Sequence, residues 1–177
     1  MKLFVVRHGK TDWNKLGKAQ GIVNTNINEE GMAQAEEMAE KLKDEKIDLI
    51  ISSPLNRALQ TASIINRGKT TIIPDNRIIE RDYGEFEGLR KDEYSVKNFW
   101  SYEQNNKYQK AENVRELYRR IYSFLDDIKE KHKNETVLLV IHGGVSVALN
   151  SYFEGIPPED NPTQGSFKNC EVRTYEL

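Results

Sequence analysis

Residues 136–141 read TVLLVI and run directly into His142-Gly143-Gly144. An unbroken apolar run rich in β-branched residues is typical of a strand that is buried on both faces of a sheet. The same pattern recurs at residues 3–6 (LFVV) and, interrupted by Asp48, at residues 47–51 (IDLII). The three segments predict three buried strands, each followed by small or polar residues.

Helices are predicted between these strands, at about residues 28–45, 54–67, 89–105, 113–131 and 143–153. Asn28 suits the N-cap of the first helix, Pro54 the first turn of the second, and Gly68 the end of the second. Short strands are predicted at residues 70–73 and, as an edge strand, at residues 172–175. Because strands alternate with helices, we predict an α/β fold, a three-layer α/β/α sandwich with a mostly parallel central sheet.

Composition limits the classes of function. The 177 residues include 26 Lys and Arg against 28 Asp and Glu, a net charge of -2, so no broad nucleic-acid or membrane footprint is expected. No apolar run approaches the roughly 18 residues of a membrane span, and the apolar start is too short for a signal peptide. The single cysteine, Cys170, excludes an internal disulfide. These features predict a cytoplasmic protein and leave its oligomeric state open.

Charged and imidazole side chains follow the predicted strands. Arg7 and His8 follow the first strand, Arg57 lies shortly after the second, and His142 follows the last long one. Ligand sites in parallel sheets form outside the carboxyl ends of the strands, so these side chains converge if the strands are neighbours. Guanidinium groups match phosphate oxygens, a neutral imidazole is a competent nucleophile, and a second imidazole can donate to a phosphoryl oxygen. The pattern favours a site for a phosphate dianion.

Other motifs fit less well. Gly9-Lys10-Thr11 and Gly68-Lys69-Thr70 resemble the end of a phosphate-binding loop, but the glycine that such a loop needs upstream is missing. Ser146 follows a strand, as in α/β-hydrolases, yet no histidine follows it along the chain. The three histidines and one cysteine match no metal-ligand spacing. The spacing therefore predicts no zinc site, and no metal or other cofactor is expected, as the resemblance described below also implies.

Longer blocks of the sequence resemble one protein family. The blocks are residues 7–14 (RHGKTDWN), 20–35, 52–62 (SSPLNRALQTA), 80–88 (ERDYGEFEG) and 142–144 (HGG). In this order they are similar to the histidine phosphatase superfamily, also called the phosphoglycerate mutase-like family, and they span almost the whole chain. The resemblance implies one histidine phosphatase-like domain over residues 1–177, with a lid-like insertion at about residues 82–112.

The resemblance also implies roles for the converging side chains. His8 would attack phosphorus and become phosphohistidine, while Arg7, Arg57 and His142 would hold the phosphoryl oxygens. Glu80 would protonate the leaving alcohol and then activate water. The implied activity is that of a metal-independent phosphomonoesterase, a histidine acid-type phosphatase, that hydrolyses a small phosphorylated metabolite.

Further residues become candidates through the same resemblance. The residues expected to bind substrate are Asn14, Gln20, Gly21, Arg81, Tyr83, Lys91 and Gly143, with Thr25 at the mouth of the pocket. Glu85 and Glu87 lie close to Glu80 in the sequence and compete with it for the role of the acid. Motif position favours Glu80.

The family contains phosphatases and cofactor-dependent mutases, and the sequence carries features of both. Arg81, Tyr83 and Lys91 resemble mutase elements that would grip a substrate carboxylate or a second phosphate. However, His142 is followed by two glycines where mutases typically have Gly-Asn, and the lid-like segment is short for a mutase. A short lid exposes phosphohistidine to water, which favours hydrolysis. A phosphatase is therefore preferred, with phosphoglycerate mutase as the alternative and a non-catalytic phospholigand-binding module as the third interpretation.

Overall fold

A five-stranded sheet runs through the computed structural model, which describes residues 1–177. The strands are β1 (Lys2–Arg7), β2 (Leu49–Ser52), β3 (Ile72–Pro74), β4 (Thr136–Ile141) and β5 (Val172–Glu176). Their spatial order is β3-β2-β4-β1-β5, and β5 alone is antiparallel to its neighbour. The helices are α1 (Asp12–Lys15), α2 (Glu29–Lys41), α3 (Asn56–Asn66), α4 (Val96–Trp100), α5 (Val114–Lys131) and α6 (Gly143–Glu154), with 3₁₀ turns at Asn76–Ile78 and Gly84–Phe86.

The three buried strands that the sequence predicts are neighbours at the centre of the sheet. β4 lies between β1 and β2, so that Val140 is in register with both Val6 and Ser52. The three strands run in the same direction, and their carboxyl ends therefore meet at one edge of the sheet. The prediction of an α/β fold with a mostly parallel sheet is confirmed.

Two apolar layers cover the sheet, because alternate residues of a strand point to opposite faces. In β1, Leu3 and Val5 join a cluster packed against α5 and α6. Phe4 and Val6 join a second cluster, packed against α2 and α3. All four side chains are buried. Helices on both faces thus form the three-layer arrangement. They pack against the three central strands whose carboxyl ends meet at one edge of the sheet.

Helix boundaries follow local capping more closely than apolar periodicity. The Asn28 side chain accepts a hydrogen bond from Gly31 N at 2.9 Å, which confirms the predicted N-cap of α2, but α2 already ends at Lys41. The residue that ends α3 in a left-handed conformation is Arg67, with φ of 48°, one position before the predicted Gly68. None of the helices has both the length and the apolar character needed to cross a bilayer.

The prediction of a long helix at residues 89–105 is wrong. Only α4 is helical there, and Ser95 caps its start. The aromatic residues of this segment pack against one another and against the core from a mostly irregular backbone. Phe99, for example, lies 4.9 Å from Phe86 between ring centroids. These side chains are buried by contacts between rings that are distant in sequence, and not by lying along one face of a helix. Composition alone does not reveal such contacts.

Candidate active site

A cavity of about 380 Å³ opens at the edge of the sheet where β1, β2 and β4 end. Arg7, His8, Arg57 and Glu80 all line it. Most of the predicted substrate-binding residues line it too, namely Asn14, Gln20, Gly21, Tyr83, Lys91 and Gly143. The predicted site residues that lie outside the lining are His142, Arg81 and Thr25.

His8 presents one ring nitrogen to this cavity. Its Nδ1 lies 2.7 Å from the carbonyl oxygen of Gly9, which can only accept, so the neutral ring carries its proton on Nδ1. Nε2 keeps its lone pair and has no partner within the protein. Burial lowers the pKa of His8 well below its ordinary value of 6.5, and the charges of Arg57 and Arg7 lower it further. His8 is therefore neutral and nucleophilic at neutral pH.

The lowered pKa of His8 predicts how its ring signals and its contribution to stability change with pH. We expect its ¹⁵N ring signals to keep the neutral Nδ1–H pattern as the pH falls from about 8 to about 6, because its pKa is lowered. Since the unfolded chain binds this proton more tightly than the native state, the stability that neutral His8 contributes declines as the pH falls below 6.5. NMR titration of histidine-labelled protein, assigned with His8→Ala, provides the measurement. A His8 titration centred at or above 6.5 would contradict the assignment.

Two guanidinium groups bring positive charge to His8. The three nitrogens of Arg57 donate to His142 Nδ1 at 3.2 Å and to two backbone carbonyls at 2.7 Å each. Burial lowers the pKa of Arg57 to about 10, so the group stays charged at neutral pH. Arg7 donates to a backbone carbonyl through Nη1 at 2.5 Å, while its buried Nε has no partner. A buried donor without a partner is unusual.

His142 packs behind His8, with 5.1 Å between the ring centroids. Its side chain is completely buried. Nε2 lies 2.6 Å from Ser53 Oγ, and Nδ1 is the acceptor for Arg57. Both ring nitrogens are therefore occupied in the free protein. The predicted contact between His142 and a phosphoryl oxygen stays a prediction, and it requires one of these bonds to be exchanged.

Glu80 is held at the cavity wall by two backbone amides. Its Oε2 accepts from Gly144 N and its Oε1 from Arg81 N, each at 2.9 Å. A Cβ atom at position 144 would lie 2.5 Å from Glu80 Oε1 and 2.5 Å from Cη2 of Trp100. Close approach of these two side chains thus requires glycine at the position where, by resemblance, mutases have asparagine.

The two competing carboxylates are engaged elsewhere. Glu85 Oε2 accepts from Lys110 N at 3.3 Å, and Glu87 Oε1 accepts from Ile22 N at 2.8 Å. Neither side chain lines the cavity, where Glu80 is the single acidic residue. Position in the fold therefore favours Glu80 as the proton donor.

The prediction that Arg81 binds substrate disagrees with its position. Its guanidinium is fully buried and lies 3.8 Å from the centroid of the Phe99 ring. Nε donates to the Glu112 carbonyl at 2.9 Å, and Nη1 donates to the Phe99 carbonyl at 2.7 Å. Through these contacts Arg81 links Phe99, in the middle of residues 82–112, to Glu112 at the end of that range. Arg81 therefore organises the wall of the cavity and does not reach into it.

Asn14 and Gln20 are oriented by bonds to their oxygens. Asn14 Oδ1 accepts from Thr11 N and from Asn169 Nδ2, both at 3.2 Å. Gln20 Oε1 accepts from the hydroxyl groups of Thr11 at 3.0 Å and of Thr25 at 2.6 Å. Because the oxygens are occupied by the protein, the two NH₂ groups are left to donate to a ligand.

Sequence reasoning missed several polar residues of the lining, namely Lys18, Thr163, Ser166 and Asn169. Asn169 donates to the carbonyl of His8 at 3.0 Å and so helps to fix the backbone of that residue. Three of the four precede β5, which is antiparallel to β1 and therefore begins beside the carboxyl end of β1. The edge strand predicted at residues 172–175 could have pointed to these three residues, but only if its antiparallel direction had been known.

Comparison with known proteins agrees with this geometry. A family model described as the histidine phosphatase superfamily (branch 1) matches residues 3–177. The chain is similar to phosphoserine phosphatase 1 of Hydrogenobacter thermophilus, with 35% identity over 100% of this chain and 85% of that protein. It is also similar to a 2,3-bisphosphoglycerate-dependent phosphoglycerate mutase of Brucella anthropi, with 30% identity over 89% of this chain and 83% of that protein. A solved structure of a phosphoserine phosphatase mutant from Entamoeba histolytica, in complex with phosphoserine, aligns with a TM-score of 0.85 and 28% identity over 98% of this chain and 89% of that chain.

Proposed function

We propose, given that this chain belongs to the histidine phosphatase superfamily, that it is a metal-independent phosphatase that hydrolyses small phosphomonoesters through a phosphohistidine on His8. The observation that carries the proposal is the free Nε2 of a neutral His8 in a cavity that two guanidinium groups also line. A lone pair beside fixed positive charge suits attack on a phosphate dianion.

The reaction divides into two displacements at phosphorus. In the first, His8 Nε2 bonds to phosphorus, the ester P–O bond breaks, and the Glu80 carboxyl group gives its proton to the departing oxygen. In the second, the Glu80 carboxylate takes a proton from water, the water oxygen bonds to phosphorus, and the P–N electron pair returns to Nε2. Arg7 and Arg57 offset the charge on the phosphoryl oxygens in both steps.

The charge of the cavity supports a substrate with a second anionic group. Lys18, which forms an antiparallel bridge with Arg90, and Lys91 both line the cavity, and neither has an ionic partner. Glu80, the one acidic lining residue, is already bonded to two backbone amides. The proposed substrates are therefore phosphorylated carboxylic acids, and phosphoserine is the first to test, given the names of the similar proteins.

Two features favour hydrolysis over the mutase alternative. Arg81, which the mutase interpretation needs in the cavity, is bonded to backbone carbonyls outside it. The space beside Glu80 that a residue at position 144 would need is filled by Trp100. We also propose that the chain is, more specifically, a histidine acid-type phosphatase.

The test uses the purified chain with excess EDTA and ³¹P NMR. We expect inorganic phosphate to accumulate from phosphoserine, because no step needs a metal ion. A parallel sample contains 3-phosphoglycerate and catalytic 2,3-bisphosphoglycerate. Formation of 2-phosphoglycerate without matching phosphate release would overturn the proposal in favour of a mutase. Binding of phosphate esters without turnover would favour a non-catalytic module.

The role of the two lysines gives a separate prediction. Lys18→Met and Lys91→Met should each lower kcat/KM for phosphoserine roughly tenfold, because each removes a charge-assisted contact to the carboxylate. The kcat/KM for phosphoethanolamine, which lacks the carboxylate, should hardly change in either variant. Lys15→Met is the matched control, because Lys15 is exposed and lies outside the cavity lining. Equal losses on both esters would exclude carboxylate recognition by these lysines.

A further inference from the structure

Arg120 of α5 uses every N–H of its guanidinium group within the protein. Nε and Nη2 donate to the two carboxylate oxygens of Glu112, at 2.7 and 2.8 Å. Nη1 donates to the carbonyls of Arg77 and Ile79 at 2.7 and 2.8 Å, and Nη2 also donates to the carbonyl of Glu80 at 3.2 Å. A guanidinium has five N–H donors, so none is left for a ligand. Arg120 lies outside the cavity lining, and its contacts therefore serve to hold the chain itself.

The backbone that carries Glu80 has little other support. It belongs to the loop between the two 3₁₀ turns, and the carbonyls of Ile79 and Glu80 accept no hydrogen bond from a backbone amide. Arg120, in contrast, projects from an 18-residue helix that is anchored in the core by completely buried residues such as Leu117 and Ile121. A long helix therefore holds this loop through a single side chain.

One of the Arg120 bonds acts on the carboxylate of Glu80 itself. The Glu80 carbonyl and the Arg81 N–H belong to the same planar peptide unit. Arg120 Nη2 binds the carbonyl of that unit, and the N–H of the same unit donates to Glu80 Oε1 at 2.9 Å. When Arg120 fixes the plane of the unit, it also fixes the direction of the N–H that orients the carboxylate.

We propose that Arg120 is the positioning residue for Glu80, holding its carboxyl group where it can protonate the departing oxygen, and that Glu112 orients Arg120. Glu112 is tied to the same loop, because its N–H donates to the Asp82 carbonyl and its carbonyl accepts from Arg81 Nε, each at 2.9 Å. Only 20% of the Arg120 side chain and 17% of the Glu112 side chain are exposed. The inference rests on the proposed function, because Glu80 is the proposed acid.

The test combines steady-state kinetics on phosphoserine with burst kinetics on p-nitrophenyl phosphate, whose leaving group needs no proton. We expect Arg120→Met to lower kcat for phosphoserine roughly tenfold to a hundredfold, because a small displacement of a catalytic group costs about that much. KM should change by less than about twofold, since Arg120 does not line the cavity. The aryl burst should stay close to the wild-type rate. Arg119→Met is the matched control, because Arg119 is adjacent, exposed and outside the lining.

Two further variants separate positioning from a general structural role. If Arg120 acts through Glu80, adding Arg120→Met to Glu80→Gln should change phosphoserine turnover by no more than about threefold. Arg120→Lys keeps the charge but not the planar fork, so it should lose nearly as much kcat as Arg120→Met. Additive losses in the double variant, full activity of Arg120→Lys, or equal slowing of the aryl burst would each overturn the inference.

Glu112→Gln keeps the inference testable if Arg120→Met does not fold. This variant leaves Arg120 one oxygen acceptor, and we expect a smaller loss of phosphoserine kcat, roughly threefold to tenfold, with an unchanged aryl burst. Wild-type kcat in Glu112→Gln, with Glu80→Gln impaired, would overturn the inference and leave the proposed function intact. Unimpaired turnover of phosphoserine by Glu80→Gln would instead refute the proposed acid, and the inference would fall with it.

Discussion

Replacement of His8 by alanine is expected to abolish measurable turnover, lowering kcat/KM for phosphoserine by at least about 10⁴-fold. The reason is that no second side chain can take over the phosphoryl group. His142 is buried behind His8 with both ring nitrogens bonded, and Glu80 is tied to two backbone amides. The variant should still fold, because the His8 ring bonds only to the carbonyl of the next residue.

Two measurements check this result. Steady-state assays give the loss of rate. Quenching with alkali or detergent after incubation with ³²P-labelled substrate preserves phosphohistidine, and loss of the label on later acid treatment identifies it; the label is expected in the wild type and absent in His8→Ala. The control is His132→Gln, because His132 lies at the end of α5 beside Glu135 and outside the cavity lining. Wild-type turnover by His8→Ala would refute the phosphohistidine mechanism.

Replacement of Glu80 by glutamine is expected to have the second largest effect, and its size should depend on the leaving group. For phosphoserine, whose alkoxide is a poor leaving group, we expect kcat to fall by about 10²–10⁴-fold, the usual contribution of a general acid. An aryl phosphate such as p-nitrophenyl phosphate releases a stable anion that needs no proton. Its first step should therefore be slowed far less, and burst kinetics with this substrate should show rapid aryl release followed by slower turnover.

Glutamine preserves the size of the side chain and one oxygen acceptor. Its NH₂ group takes the place of the second acceptor, so the variant loses the proton and one of the bonds from Arg81 N and Gly144 N. Glu87→Gln is the matched control, because Glu87 accepts from Ile22 N and lies outside the cavity lining. That control should leave both substrates close to wild-type rates. Equal slowing of the first step, release of the leaving group, for both substrates in Glu80→Gln would assign the acid role to another group.

The sequence predicts best those parts of the fold in which the local pattern of apolar residues directly reflects burial in the folded protein. β4 matches its predicted range, Thr136–Ile141, because a strand buried on both faces has to be apolar at every position. Arg7, His8 and His142 could be located for the same reason, since each directly follows or ends such a strand. Arg57 follows from the helix after β2, once β2 is known to lie next to β4.

The structure departs from the sequence-based expectation at residues whose direction depends on distant contacts. Glu80 and Arg81 are adjacent in the sequence, yet Glu80 lines the cavity and Arg81 turns away, drawn by the Phe99 ring and by carbonyls on both sides of the segment. A motif gives the residue type and not the direction of the side chain. The same limit applies to Asn169, which a loop brings to His8 from the far end of the sequence.

The position of β1 in the sheet also governs when the site can exist during synthesis. β1 is made first, but its two neighbours, β4 and β5, come from Thr136–Ile141 and Val172–Glu176. A chain emerging from the ribosome therefore exposes His8 long before the strands and the Asn169 contact that hold it are available. Pairing across so many residues is slow compared with local folding. We therefore expect His8, the proposed nucleophile, to reach its position in the cavity only after β4 and β5 have joined the sheet.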